Sequence, residues 1–126
     1  MLLFLSLAHS ALAANKWEVW ERCTLYEDEY ANDGDSFKVR KENATYVYVL
    51  RLYFVDAPET EDSFPERVKE QADYWGITEK QALKLGKEAS KFTKKFLSKP
   101  FTVYTRKEDA RGRGKKNRYY CMIESE

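Results

Sequence analysis

Short runs rich in β-branched and aromatic residues recur along this 126-residue sequence, one segment carries helical periodicity, and turn residues fall between them. These observations predict a mainly β chain with one long α-helix (α+β). Three strands, a helix and two further strands are the set that a five-stranded Greek-key barrel of the OB type requires. An open α+β sheet accommodates the same order, and the pattern alone does not separate the two. One domain is expected, because a chain of this length does not carry two independent cores.

Leu2 to Ala13 carries no charge and ends in Ala11-Leu12-Ala13, the small-x-small pattern of a signal-peptidase site, although the Lys or Arg usual before such a run is missing. Residues 1–14 therefore read as a signal peptide and 15–126 as an exported domain, secreted or periplasmic, with no stable membrane association after cleavage. Trp17 to Tyr26 reads as the first strand, Asp33-Gly34-Asp35-Ser36 as a turn, and Phe37 to Arg40 as the hairpin partner. Tyr46 to Val55 is almost continuously apolar, as in a strand covered on both faces. Pro58 ends it, and a polar loop is expected as far as Gly76. Thr78 and Gln81 form a capping box, after which Ala82, Leu85, Ala89, Phe92 and Phe96 make one apolar helical stripe. Pro100 stops that helix near Ser98, and Phe101 to Thr105 and Arg118 to Ile123 supply the fourth and fifth strands.

A composition of 43% hydrophobic and 34% charged residues resembles neither a disordered chain nor a membrane protein. The formal net charge of +1 hides an asymmetry: residues 1–66 carry 6 Lys/Arg against 13 Asp/Glu, and residues 67–126 carry 16 against 8. An acidic half suits cations and a basic half suits phosphates. Cys23 and Cys121 would meet an oxidising compartment after export, and both a disulfide and two buried free thiols remain open. The sole histidine, His9, lies within the leader. Ser-His-Asp and Cys-His pairs, His-based proton transfer and the usual zinc hydrolase ligand sets are thereby excluded from the exported domain.

The remaining candidates are carboxylates and guanidiniums. Asp33 and Asp35 flank Gly34 in what is first of all a turn, and the further acidic positions of an EF-hand are missing. Arg51 sits in the most apolar strand, where a cation needs carboxylates or phosphate to replace its lost water. That strand runs directly into Asp56 and Glu59, and an oxygen-rich site of this kind selects hard cations such as Ca²⁺ or Mg²⁺. Arg111-Gly112-Arg113-Gly114-Lys115-Lys116 couples four cations to two glycines, a loop able to approach a polyanion closely. Lys84, Lys87, Lys91, Lys94 and Lys95 read as a solvated helix face.

In order, DGDS, LRLYFVDAPET, LGKEASKFTKKFL and RGRG make the sequence resemble the staphylococcal nuclease (thermonuclease) family from about Trp17 onward. The resemblance implies an OB barrel and a monomeric, calcium-dependent phosphodiesterase, both endonuclease and exonuclease. Its substrates would be DNA and RNA, preferably single-stranded, and its products would end in 3′-phosphates. By matching position, Asp35 and Asp56 would bind Ca²⁺ through carboxylates and Ala57 through its backbone carbonyl, with Asp33 supporting them from behind. Glu59 would orient or deprotonate the attacking water, Arg51 and Arg113 would hold the phosphate, and Arg111, Lys115 and Lys116 would bind substrate. Family members often carry Thr where Ala57 stands, a change that a backbone ligand tolerates. Ala110 and Arg111 replace a Lys-Tyr pair, and the loop after Gly114 is longer and more basic. The family also continues into two further helices and a nucleotide-contacting tyrosine, so a C-terminally incomplete domain is expected. The alternative is an inactive module of the same fold that binds single-stranded nucleic acid.

Overall fold

The computed structural model describes residues 16–28, 32–112 and 115–125. Five strands run in the order β1 (Glu18–Leu25), β2 (Ser36–Arg40), β3 (Val47–Leu52), β4 (Phe101–Asp109) and β5 (Arg118–Ser125), with α1 (Pro65–Trp75) and α2 (Glu79–Phe96) between β3 and β4. They close into a barrel in the circular order β1-β2-β3-β5-β4. All pairings are antiparallel except β3 with β5, and β1 with β4 completes the ring. The predicted OB-type barrel is thus the observed architecture, and the open sheet is not.

Alternation explains the core. Inward residues Trp20, Cys23, Phe37, Val39, Leu50, Phe101, Val103 and Cys121 are buried, and Leu97, capping the end of α2, joins them. Successive side chains of a strand point to opposite faces, so their intervening neighbours face outward. The bulges between Trp20 and Cys23 and between Thr105 and Asp109 hold Arg22 and Lys107 at φ of 53° and 55°, adding the local bend that closure needs. Cys23 and Cys121 are buried free thiols. Burial pushes the Cys121 thiol up to about 12 and, against a small opposing pull from Lys41, the Cys23 thiol up to about 11.

Three expectations are corrected. The expected loop before Gly76 contains α1, which begins with Pro65 in its first turn and ends at Gly76, whose φ of 65° is the left-handed conformation glycine adopts readily. Strand β3 is shorter than Tyr46 to Val55 and only partly covered on its outer face: Leu50 is buried while Val49 and Arg51 are half-buried. In a single-layer barrel one side of each strand meets solvent or a loop, and the apolar run concealed that asymmetry. Finally, the capping box of Thr78 and Gln81 forms as expected, but Leu85, Phe92 and Phe96 of the apolar stripe are exposed. The inward side of α2 carries Ala82 and Ala89 of that stripe together with Gly86, Ser90 and Thr93, all buried or half-buried. Lys84, Lys87, Lys91, Lys94 and Lys95 are exposed, as expected of a solvated face.

Those small residues let two loops approach the helix. A Cβ on Gly86 would lie 2.0 Å from the Glu59 carbonyl oxygen and 2.8 Å from that of Pro58. A Cβ on Gly34 would lie 2.7 Å from the Ala57 Cβ and 2.8 Å from the Ala89 Cβ. Thr93 donates from Oγ1 to the Gly34 carbonyl at 2.8 Å, and Ser90 from Oγ to that of Asn32 at 3.2 Å. Helix α2 is therefore the backing plate on which the β1–β2 turn and the loop after β3 meet.

Candidate functional site

The turn before β2 is an Asx turn. Asp33 Oδ1 accepts from the backbone N–H groups of Asp35 at 3.0 Å and Ser36 at 2.7 Å, a local pairing that short acidic side chains favour. The turn delivers Asp35 into the interior, where it is only 5% exposed. There its Oδ1 accepts from Ser36 Oγ at 2.7 Å and its Oδ2 from the Ala57 N–H at 2.8 Å, so one carboxylate ties the turn to the loop after β3. Burial, and then the neighbouring Asp35 charge, push the Asp33 carboxyl up to about 6 despite its two backbone donors.

From Asp35 an alternating chain of charges runs across the surface. Arg51 Nη2 lies 3.4 Å from Asp35 Oδ2 and 3.1 Å from Asp56 Oδ1. Arg67 Nη2 donates to Asp56 at 2.8 and 2.9 Å, and its Nε lies 3.5 Å from Glu59 Oε1. Partial burial opposes the Arg67 charge, but Asp56 and Glu59 outweigh it and hold its pKa above the ordinary value. Three carboxylates against two guanidiniums leave one surplus negative charge before Asp33 is counted. Buried Gln71 fixes the loop: its Oε1 accepts from the Glu59 N–H at 3.0 Å, and its Nε2 donates to the Ala57 carbonyl at 3.2 Å.

The donor chemistry fits a hard cation. Asp35, Asp56 and the Ala57 carbonyl offer oxygen alone, and that carbonyl keeps a second lone pair beside its bond from Gln71. Arg67 donates to both Asp56 oxygens, each of which keeps a further lone pair for a cation. Among the described residues no three Asp, Glu, His or Cys side chains already converge as a cation cage.

Asp35, Arg51, Asp56 and Glu59 thus come together, with Asp33 behind Asp35. Arg113 and Gly114 lie outside the described residues, as do residues 1–15 with His9. Arg111, Lys115 and Lys116 are exposed, and among the described residues no hydrogen bond or ion pair joins them to the acidic chain. Lys116 Nζ instead stands 5.4 Å from the centre of the Tyr46 ring, beside the start of β3.

Three residues escape the sequence reading. Arg67 and Gln71 sit on the unforeseen α1 and were legible only as part of a polar stretch. The third, Arg118, opens the aromatic strand β5, and its position matches the signal that singled out Arg51: a cation within an apolar strand. Its Nη1 donates to Ser36 Oγ at 3.3 Å and its Nη2 to the Ala110 carbonyl at 3.0 Å, while its buried Nε has no partner among the described residues. Ser36 therefore links Arg118 to Asp35. A Cβ on Gly112 would lie 3.1 Å from the Arg118 Cβ, so this glycine leaves room for that side chain. No protein-family model and no curated protein matches the chain.

Proposed function

We propose that this protein is a calcium-dependent phosphodiesterase of the staphylococcal nuclease type, hydrolysing DNA and RNA to products with 3′-phosphates. The observation that carries the reading is the run Asp35–Arg51–Asp56–Arg67–Glu59, in which a half-buried guanidinium and a base-capable carboxylate share one surface. A phosphodiester repels nucleophiles with its own charge, so cations aimed at its oxygens lower the barrier as charge builds. Arg51 supplies one such guanidinium. Arg118 is the second by position, and Arg113 is the second by resemblance.

Glu59 takes the proton of the attacking water, the water oxygen bonds to phosphorus, and the P–O5′ bond breaks as the 5′ oxygen leaves and takes a proton from solvent. The phosphate remains on the 3′ side. Ca²⁺ held by Asp35, Asp56 and the Ala57 carbonyl would supply further positive charge at the phosphate oxygens. Arg67 positions Asp56 and Glu59, and Gln71 holds the loop that carries them. Export belongs to the same proposal and rests on residues 1–14.

The alternative, a non-catalytic module for single-stranded nucleic acid, draws on the occupation of both Asp56 oxygens by Arg67. Digestion of denatured DNA and of RNA separates the two. The enzyme reading expects Ca²⁺-dependent fragments ending in 3′-phosphate, abolished by chelator, with Arg118→Ala slowed about 10²- to 10³-fold. Salt-sensitive binding with no cleavage in Ca²⁺ contradicts it and supports the module.

A further inference from the structure

Helix α1 carries a face that the core does not use. Val68 and Ala72 pack inward, while Arg67, Glu70, Gln71, Tyr74 and Trp75 follow at helical spacing and make one stripe beside them. Together with Asp56 this stripe lines a pocket of about 430 Å³, within the range of about 300–1,000 Å³ that ligand sites occupy. Asp56 belongs to the pocket and to the acidic chain, so the pocket opens next to the proposed reacting surface.

The members of the stripe divide by what holds them. Arg67 is engaged by Asp56 and Glu59, and Gln71 by the backbone of Ala57 and Glu59, so these two fasten α1 to the loop after β3. Among the described residues no hydrogen bond or ion pair engages the side chains of Glu70, Tyr74 or Trp75. Glu70 and Tyr74 are one turn apart on the same side of the helix, and Tyr74 is 85% exposed. The Trp75 ring meets it at 6.4 Å between centroids with planes 73° apart, so the two rings form a stacking face and a side wall. A carboxylate beside two unpacked rings is left over after folding is accounted for.

Charge decides what fits there. Asp56 and Glu70 against Arg67 leave the pocket with one surplus negative charge, which disfavours a phosphate and favours a flat ring with donors on its edge. Guanine alone among the common bases presents two adjacent donors, N1–H and the N2 amine, matching the two oxygens of one carboxylate. Adenine and cytosine set an acceptor beside their amine, and uracil and thymine flank one N–H with two carbonyls. Each of these would turn an oxygen or a lone pair toward Glu70.

We infer that the α1 pocket reads a guanine of the substrate, Glu70 accepting from its N1–H and N2 amine while the Tyr74 ring stacks on its face. Recognition of an unpaired base by its Watson–Crick edge and an aromatic ring is a general mode of nucleic-acid binding. The inference rests on the proposed phosphodiesterase reading and adds a base preference to it.

The test is calorimetric titration of the full chain with trinucleotides that carry guanine, hypoxanthine or adenine between two thymidines, in chelator so that the strand stays whole. Hypoxanthine keeps N1–H and lacks the N2 amine. Guanine is expected to bind about 5- to 150-fold more tightly than adenine, the range for one bidentate base contact, with hypoxanthine between them. Glu70→Gln should remove that difference and Tyr74→Ala should weaken all three alike. Neither should move the urea midpoint, because both side chains are exposed. Equal affinities or no binding in the wild type, a guanine preference that survives Glu70→Gln, or a homodimer dissociated by Tyr74→Ala would each overturn the pocket. A guanine preference lost with Glu70→Gln but no cleavage in Ca²⁺ would defeat the phosphodiesterase and leave the pocket standing. Ca²⁺-dependent cleavage with no guanine preference would do the reverse.

Discussion

Asp33 and Asp35 stand two residues apart with different partners: Asp35 faces a guanidinium, and Asp33 is crowded by the Asp35 carboxylate. Asp35 accepts from Ser36 and Ala57 and faces Arg51, whereas Asp33 accepts from the backbone N–H groups of Asp35 and Ser36 and has the Asp35 carboxylate beside it. Its pKa rises from 3.8 to about 6, through burial first and Asp35 second. Between these values the native protein holds a proton that the unfolded chain has released. The associated stability is therefore full below about pH 4 and is lost as pH rises to about 6. Asp33→Asn keeps a side-chain oxygen for the two N–H groups and cannot ionise. Thermal melts in chelator should show it more stable than wild type at pH 7 and equal or weaker at pH 4; parallel pH curves would contradict this. Asp35, Arg51, Asp56 and Glu59 are legible in the sequence because one turn and one strand end carry them all. Arg67, Gln71 and Arg118 are joined to them only by tertiary contacts, and a single residue type within a polar helix or at the head of a strand carries little signal.

At the scale of elements, α2 shows why periodicity misleads. Its apolar spacing points to Ala82, Leu85, Ala89, Phe92 and Phe96, of which only the two alanines turn inward, because two site loops press against that side and leave room for small residues alone. Gly86 is the tightest of these contacts. Alanine is favoured over glycine in a helix interior by about 1 kcal/mol, but here its methyl would displace the Pro58 and Glu59 carbonyls. Gly86→Ala is expected to lower stability by about 1–3 kcal/mol in urea titration, as overpacking does, and to reduce cleavage by moving Glu59. A stabilised, fully active variant would show that the loop yields freely. The missing helix α1 was signalled by Pro65 and Gly76, residues that also punctuate loops, and its short stretch of Val68 and Ala72 buries too little apolar surface to produce a strong period.

For the whole molecule, strand number and order follow from local composition, but barrel closure does not. Closure depends on β1 meeting β4, a pairing of Val19 with Tyr104 that neither strand announces locally. Folding also joins the two unequally charged halves: Arg67, in the basic half, bridges Asp56 and Glu59 in the acidic half. The β2–β3 and β3–β5 pairings set Arg51 between Ser36 and Tyr120, so the proposed reacting surface exists only in the folded barrel. The most direct measurement is the kcat/KM of Glu59→Gln for denatured DNA in Ca²⁺, beside its urea midpoint. A fall of about 10²-fold or more at unchanged stability is predicted, the scale on which a positioned acid or base contributes. Wild-type kcat/KM in a folded Glu59→Gln protein would contradict the assignment of Glu59 and the mechanism built on it.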